Sequence, residues 1–331
     1  MTLSLSRYPL TLAETRRFPE SSPPYPGEVP DQRRGLLFGI TAYGLWGAFP
    51  LYWPLLEPAG AVEILAHRIV WSMITLGLLV VLLRRTSQVR AILADRRTFL
   101  LLASAAAIIT VNWTTYIYGV ISDKVVETSL GYFINPLVTV LMGVFIFKER
   151  LRPLQWVAMG VASLAVVVLT IDYGRLPYIA LILAFSFGTY GLLKKTADVG
   201  AVESLAVETS VVAPLAAVYL AWLVASGSSS FGTEGTGHAL LLMSTGLVTA
   251  VPLIAFGAAA IRIPMTTLGL LQYMAPILQF FVGVYIYDEA MPASRWAGFV
   301  LVWVALVIFT IEATQHRRRQ LRLTVHASAA A

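Results

Sequence analysis

Residues 205–224 read LAVETSVVAPLAAVYLAWLV, a run whose apolar side chains cover every face of a helix. A bilayer core about 30 Å thick requires roughly 20 consecutive apolar residues per helix, which is the length of this run. A strand of a membrane barrel would instead alternate apolar and polar residues over about ten positions. The run therefore predicts a transmembrane α-helix.

Comparable apolar runs recur along the chain after a polar, Pro-rich leader. The chain has 331 residues, of which 57% are hydrophobic and 13% are charged, with a mean hydropathy of +0.74. This composition lies outside the range of soluble globular domains. The sequence predicts an all-α integral membrane protein with about ten transmembrane helices. These helices are expected near 35–56, 61–83, 98–120, 126–147, 153–171, 177–193, 201–223, 239–260, 265–287 and 294–312.

The basic residues predict how these helices are oriented, because short cytoplasmic loops retain Lys and Arg. With both termini in the cytoplasm, the outside holds Lys124, Arg175 and Arg295. We expect residues 1–34 to form a disordered cytoplasmic tail and residues 313–331 to form a basic cytoplasmic tail that contacts anionic lipid headgroups. The predicted cytoplasmic set comprises Arg33, Arg34, Arg84, Arg85, Arg90, Arg96, Arg97, Lys148, Arg150, Arg152, Lys194, Lys195, Arg262, Arg317, Arg318, Arg319 and Arg322.

The two halves of the chain share an internal repeat. GAVEILA at 60–66 returns as GAVESLA at 200–206, a displacement of 203 − 63 = 140 residues between the two Glu residues. A second block keeps the same displacement, since 276 − 136 = 140. Agreement on one displacement indicates duplication. The second block maps Pro136, Gly143, Ile146, Glu149, Trp156, Thr170 and Ile171 onto Pro276, Gly283, Ile286, Glu289, Trp296, Thr310 and Ile311.

The repeat is expected to be inverted in the membrane. Residues 35–171 and 177–312 each hold about five predicted spans, and an odd number places equivalent loops on opposite sides. The charges agree with this inversion, because 148–152 reads KERLR whereas its counterpart 288–292 reads DEAMP. Inverted repeats are typical of secondary transporters, in which exchanging the conformations of the two halves alternates access to a central site.

Several stretches resemble the RarD type of EamA-domain permeases, within the drug/metabolite transporter superfamily. The resemblance implies ten transmembrane helices in two EamA repeats, a bacterial inner-membrane location and the movement of small molecules. ETSLGYFINPL at 127–137 is the most distinctive stretch. The other stretches are EILAHR at 63–68 with WS at 71–72, NW at 112–113, YIY at 116–118, FGTYGLLKK at 187–195, VPL at 251–253 and LGLLQYMAP at 268–276.

Ionisable residues inside a membrane span are candidates for transport, because burying their charge in lipid is costly. Glu63 and Glu203 suit the first turn of a helix, where the helix dipole favours a carboxylate. Arg68 is expected to face a central cavity, where it either pairs with Glu127 or binds an anionic group of a substrate. His67, beside it, either couples transport to protons or is a neutral, hydrogen-bonded histidine.

Glu208 is the repeat counterpart of Arg68, since 208 − 68 = 140. It is a candidate proton carrier because no Lys or Arg lies near it in sequence, although a structural hydrogen bond is an equal alternative. Amides and aromatic rings nearer the membrane centre form either a ligand pocket or interhelical contacts. Pro136 and Pro276 are candidate hinges or simple kinks. The cavity candidates of this kind are Asn112, Trp113, Tyr116, Tyr132, Asn135, Tyr190, Gln272 and Tyr273.

The favoured function is a secondary transporter for a small-molecule substrate, with protons as a candidate coupling ion and membrane lipids as surroundings. The chain has no Cys and four His, of which His67 alone is expected to be buried, so neither a metal nor another cofactor is predicted. We likewise expect no enzyme activity, and a non-transporting scaffold or sensor is the alternative. The net charge of +6 does not indicate a nucleic-acid partner, because the basic residues lie in loops.

Overall fold

The computed structural model describes residues 28–147, 151–260, 262–263, 267–268 and 271–329. This part of the chain is helical and contains no strand, as the all-α prediction requires. A short 3₁₀ turn, Trp53–Leu56, follows the first helix. The α-helices are α1 Glu28–Tyr52, α2 Ala61–Leu82, α3 Thr86–Ala94, α4 Arg96–Ile121, α5 Val125–Phe147, α6 Pro153–Tyr173, α7 Tyr178–Ala197, α8 Ala201–Ala225, α9 Thr236–Ala260, α10 Met274–Tyr285 and α11 Ala293–Ala329.

Seven helical segments in the described part are long and apolar enough to cross a membrane. Two shorter apolar helices accompany them, at Tyr178–Lys194 and Met274–Tyr285. Large apolar side chains point outward along these helices; Leu215 and Ile171, for example, are each 75% exposed. Water would not tolerate so much apolar surface, so the protein is a multi-pass membrane protein. The seven segments are Ala61–Leu82, Arg96–Ile121, Val125–Met142, Pro153–Tyr173, Ala201–Ala225, Thr236–Ala259 and Ala293–Gln315.

The structure differs from the sequence-based boundaries at the start of α1 and after α2. Helix α1 begins at Glu28, so residues 28–34 are helical and the prediction of a disordered tail is wrong for them. A helix that is already nucleated by its apolar part extends readily into such polar residues. The predicted loop after α2 contains the separate short helix α3. The basic segment 148–150 and most of the tail 1–34 lie outside the described residues.

Asp95 separates α3 from α4 by capping the latter. Its carboxylate accepts hydrogen bonds from the backbone N–H groups of Arg97 and Thr98, at 3.4 and 3.1 Å. The hydroxyl and backbone of Thr98 together lower the pKa of Asp95. A capping aspartate of this kind satisfies N–H groups that the first turn of a helix leaves unpaired, which explains why α4 begins at this position.

The helices pack in pairs that relate the two halves of the chain. Three pairs of helices start at positions displaced by the repeat interval, since 201 − 61, 236 − 96 and 293 − 153 all equal 140. Three pairings join counterparts directly: α2 with α8, α5 with α10 and α6 with α11. The remaining major pairings come in matched sets, namely α1–α9 with α4–α7, α1–α10 with α5–α7, and α2–α9 with α4–α8.

Helices α2 and α9 approach each other most closely at Gly246. A Cβ atom added at this glycine would lie 2.5 Å from the backbone oxygen of Trp71 and 2.8 Å from Oγ1 of Thr75. Any larger side chain at position 246 would push the two backbones apart. The glycine therefore permits a backbone-to-backbone contact between these helices.

Candidate functional site

The first polar cluster is centred on Arg68, eight residues into α2. Its side chain is buried, with 5% of the residue exposed. Nε donates a hydrogen bond to Oγ1 of Thr249 on α9, at 2.9 Å. That hydroxyl in turn donates to the backbone oxygen of Thr245, also at 2.9 Å. Helix α9 thus holds the guanidinium through one neutral hydrogen bond.

Aromatic rings surround the guanidinium of Arg68. Its central carbon lies 4.1 Å from the ring centroid of Trp113 and 5.4 Å from that of Trp53. Such distances are those of cation–π contacts. Tyr116 packs in the same cluster as Trp53, and Tyr132 and Tyr52 pack against that cluster. Trp113, one of the predicted cavity residues, therefore lies directly against Arg68, whereas a central cavity stays a prediction.

The predicted ion pair between Arg68 and Glu127 is wrong. Glu127 is bound by Arg175, whose Nη1 and Nη2 lie 3.2 and 2.7 Å from the two carboxylate oxygens. The backbone N–H of Ile179 adds a third hydrogen bond at 3.1 Å. The starts of α5 and α7 lie side by side. Arg175, in the loop before α7, is therefore the arginine that binds Glu127, in place of Arg68. These hydrogen bonds to Glu127 raise the pKa of Arg175.

The second polar cluster is centred on Glu208, eight residues into α8. Nζ of Lys194 lies 2.7 Å from one carboxylate oxygen, and the hydroxyl of Tyr190 donates to the other at 3.0 Å. Lys194 also donates to Oγ of Ser204. The expectation that Glu208 lacks a basic partner is therefore wrong, because the preceding helix α7 supplies one. The contact between Lys194 and Glu208 could not be predicted from the sequence, because the two residues lie on different helices and are not close along the chain.

A chain of ring contacts connects the two clusters. The ring centroids of Tyr116 and Tyr132 are 5.7 Å apart, those of Tyr132 and Phe187 are 6.0 Å apart, and those of Phe187 and Tyr190 are 6.1 Å apart. Tyr116 and Tyr132 belong to the surroundings of Arg68, whereas Tyr190 binds Glu208. We call these four residues the aromatic ladder.

Phe187 was not among the predicted site residues, although it stands three positions before Tyr190 on α7. Residues at that spacing share a helix face, which was the available signal. Asn112 supports the ladder from α4. Its Nδ2 donates to the backbone oxygen of Leu183 at 3.1 Å and to Oγ of Ser186 at 2.9 Å. Its Oδ1 lies 3.5 Å from the hydroxyl of Tyr132.

The two clusters lie at opposite ends of the α2–α8 pair. Glu63, in the first turn of α2, accepts a hydrogen bond from the backbone N–H of Ser230, just after α8, at 2.8 Å. Glu203, in the first turn of α8, binds Nη1 of Arg85, just after α2, at 2.8 Å. Each helix therefore starts where the other ends, and the two run antiparallel. The predicted positions of both carboxylates in first helical turns are confirmed.

Other predicted residues lie elsewhere. His67 is 4% exposed and stacks on Phe231 with centroids 4.9 Å apart, but its ring nitrogens have no hydrogen-bond partner among the described residues. The two alternatives for His67, proton coupling and a neutral hydrogen-bonded ring, both stay predictions. Asn135 is half-buried, while Gln272 is exposed and Tyr273 borders a separate groove with Phe133 and Trp303.

The two prolines predicted as matching hinges occupy different positions in their helices. Pro136 lies inside α5, where it removes a backbone hydrogen bond. Pro276 lies in the first turn of α10, where the helix has no such bond to lose. The helical interruption in this half precedes Pro276, at the turn formed by Gln272 and Tyr273. A hinge role remains a prediction at both sites.

Glu289, the repeat counterpart of residue 149, caps the start of α5. Its Oε1 accepts the backbone N–H of Val126 at 3.0 Å. Burial raises the pKa of Glu289 to about 7, while its hydrogen bonds to Val126 and Val125 oppose that shift. The carboxyl group thus titrates near neutrality at the junction between α10, α11 and α5.

We expect the thermal midpoint to fall less in Glu289→Gln than in wild type as the pH rises from about 5 to about 8. The folded pKa, about 7, lies above the ordinary value of 4.5. The stabilising contribution of the neutral form is therefore complete below about pH 4.5 and is lost as the pH rises through about 7. Midpoints measured in one detergent across this range test the difference. Glu234→Gln, at an exposed loop position, should follow wild type; coincident Glu289→Gln and wild-type curves would contradict the assignment.

Comparisons with known proteins agree with this architecture. Residues 33–171 match the EamA-like transporter family. The chain is 58% identical over 289 residues to Protein RarD of Streptomyces exfoliatus, covering 87% of this chain and 92% of that one. It is 41% identical over 287 residues to an uncharacterized transporter of Pseudomonas aeruginosa, covering 87% and 96%. It is 39% identical over 287 residues to Protein RarD of Escherichia coli strain K12, covering 87% and 97%.

A solved crystal structure with 20% sequence identity superposes with a TM-score of 0.55, covering 85% of this chain and 98% of that chain. At that identity the superposition shows a shared fold. The fold defines a multi-pass helical membrane protein with two buried charged clusters. The chain belongs to the RarD type of the EamA-like transporter family, within the drug/metabolite transporter superfamily, and is accordingly a membrane transporter.

Proposed function

We propose that this protein is a secondary transporter, without a metal or other cofactor, that moves a small solute by alternating access between two inverted five-helix repeats, 35–171 and 177–312. The observation that carries the proposal is the pair of buried charged clusters around Arg68 and Glu208. These residues stand at counterpart positions, 208 − 68 = 140, at opposite ends of antiparallel helices. The aromatic ladder supplies a continuous surface between them.

The basic residues support both termini lying in the cytoplasm of a bacterial inner membrane, and the ion pairs agree with the relative orientation of the helices that this requires. Each described pair joins two helix ends that the basic residues place on the same side. Arg85–Glu203, Arg152–Glu312 and Lys194–Glu208 join cytoplasmic ends, whereas Arg175–Glu127 and Arg295–Asp172 join outer ends. A wrong orientation for one helix would have separated one of these pairs.

In alternating access, each of the two clusters would contact a solute that enters from one side of the membrane. Each cluster lies about 10 Å into its helix, at 1.5 Å per residue, so a solute entering from either face meets one cluster before the other. Opening α2 away from α9 would expose Arg68, and opening α8 away from α7 would expose Glu208. A solute that leaves one cluster can then pass along the ladder to the next.

The test of the function is an untargeted comparison of metabolites inside and outside cells. Three strains are compared: one with the wild-type gene, one without it, and one expressing Glu208→Gln. We expect at least one small solute to be redistributed by wild type and not by the variant. Leu215→Ala, at a position 75% exposed on α8, is the matched control and should behave as wild type. Identical metabolite profiles in all strains would favour a scaffold or sensor.

Inversion of the two halves predicts opposite labelling of equivalent loops. The chain has no Cys, so single substitutions Arg150→Cys and Ala290→Cys are unambiguous probes at positions 140 residues apart. In intact spheroplasts, a membrane-impermeant maleimide is expected to label Ala290→Cys, and to label Arg150→Cys after permeabilisation alone. Labelling of both sites from one side would refute the inverted repeat, and alternating access with it.

A further inference from the structure

The buried charge of Arg68 has no carboxylate partner in the described part of the chain. The described salt bridges engage Glu203, Glu312, Glu127, Glu208 and Asp172, each with another base. An arginine side chain stays protonated, and an uncompensated buried cation is strongly unfavourable. Nε has its acceptor in Thr249, but the two terminal nitrogens have no hydrogen-bond acceptor among the described residues.

Other donors beside Arg68 are unused as well. The Tyr116 hydroxyl and Nε1 of Trp53 are buried and lack hydrogen-bond partners among the described residues. Trp53 lies with its ring centroid 5.4 Å from the central carbon of the guanidinium, and Tyr116 belongs to the same packed cluster as Trp53, against which Trp113 also packs. Oγ of Ser72, one turn further along α2, is a third buried group without a partner there. Since indole N–H and guanidinium N–H can only donate, the matching ligand brings acceptor atoms and negative charge.

The remaining surface near Arg68 is apolar and flat. Trp113 covers one face of the guanidinium, and Tyr116 and Tyr132 continue into the aromatic ladder. Ring faces of this kind pack against the aromatic or alkyl body of a ligand. At the other end of the ladder, Glu208 already neutralises Lys194. Among the described residues of the two clusters and the ladder, Arg68 is therefore the charge that lacks a counter-charge, which suits one carboxylate.

We propose, on the basis of the proposed function, that the solute is a small amphiphilic monocarboxylate, whose carboxylate binds Arg68, Tyr116 and Trp53 while its apolar body lies on the aromatic ladder. An amine would be repelled by Arg68, because the guanidinium lies against the ring faces with which an ammonium group would otherwise form cation–π contacts. A neutral analogue would leave the guanidinium uncompensated. Charge, more than shape, therefore separates substrates from non-substrates at this end of the path.

Three probes of nearly equal size test the charge preference: phenylacetate, phenylacetamide and phenethylamine, which are anionic, neutral and cationic at pH 7. Binding to the purified full-length protein is measured by quenching of tryptophan fluorescence, with thermal stabilisation as a second readout. We expect phenylacetate to bind saturably and about tenfold or more tightly than the other two. Arg68→Gln should abolish this binding, and Arg68→Lys should retain part of it.

Tyr116→Phe keeps the ring and removes one donor, so it should weaken phenylacetate binding several-fold even if Arg68→Gln fails to fold. Arg90→Gln, which removes one positive charge at an exposed position on α3, is the charge-matched control and should bind as wild type. No saturable effect of phenylacetate up to roughly 10 mM would overturn the proposal. Equal binding of phenethylamine, or binding that survives both Arg68→Gln and Tyr116→Phe, would overturn it as well.

The metabolite comparison separates this inference from the proposed function. Redistribution of a cationic solute would sustain transport and overturn the preference for carboxylates. Charge-selective binding at Arg68 without redistribution of any solute would sustain the site and overturn transport.

Discussion

Lys194→Met is expected to lower the free energy of unfolding by about 3 kcal/mol, because it leaves the carboxylate of Glu208 buried without its counter-charge. Glu208 is 2% exposed in its side chain, so water cannot replace the ammonium group. Tyr190 would still donate its hydrogen bond, and a proton taken up by Glu208 would relieve part of the loss. Thermal unfolding in a fixed detergent at pH 7 and pH 5 measures both effects.

The double variant Lys194→Met/Glu208→Gln should recover most of that stability, because it replaces the ion pair with two neutral side chains of similar size. Arg90→Met, at an exposed position on α3, controls for the loss of one positive charge and should unfold as wild type. A double variant whose loss of stability equals the sum of the two single losses would show that the two charges are not coupled. We expect transport to stay impaired in the double variant, since stability returns without the charges.

Arg175→Met is expected to have the second largest effect, about 2 kcal/mol of lost stability. It removes both guanidinium hydrogen bonds from Glu127, whose side chain is 2% exposed, and leaves the N–H of Ile179 as the described donor. Glu127→Gln should cost less, because the freed Arg175 is 36% exposed and water can hydrate it. The measurement compares the loss of stability in Arg175→Met with the smaller loss expected in Glu127→Gln, by thermal unfolding in one detergent.

The double variant Glu127→Gln/Arg175→Met completes this cycle, and the pair is coupled if its loss is smaller than the sum of the two single losses. Lys124→Met is the control, because Lys124 lies near the same end of α5 but contacts Tyr118. Equal effects of Glu127→Gln and Arg175→Met would mean that Glu127 is better hydrated than its burial implies.

The sequence predicted the helices well because the length of an apolar run is a local property. Helices α2 and α8 begin at Ala61 and Ala201, where the repeat placed them. The predicted tail was too long because the polar start of α1 carries no apolar signal. Helix α3 was missed for the same reason, since it is short and amphipathic and lies outside the membrane-spanning segments.

The sequence predicted which residue types belong to the candidate site, but it did not predict which residues they bind. Buried charges and rings were identified correctly as unusual, because a span tolerates few of them. Their partners come from other helices: Glu127 binds a residue 48 positions away, and Glu203 binds one 118 positions away. No local pattern specifies such pairings. The packing of α5 against α7 and of α2 against α8 decides them.

The backbone contact between Gly246 and Trp71 also constrains how α9 can move. Because the backbones touch at Gly246, α9 can tilt about this contact. Gly246 divides α9 into a segment of about 15 Å toward Thr236 and a segment of about 21 Å toward Ala260. A tilt of about 10° around this contact moves the end of the shorter segment by about 3 Å and the end of the longer segment by about 4 Å in the opposite direction. In the proposed alternating access, such a tilt would link widening beside one end of α9 to narrowing beside its other end.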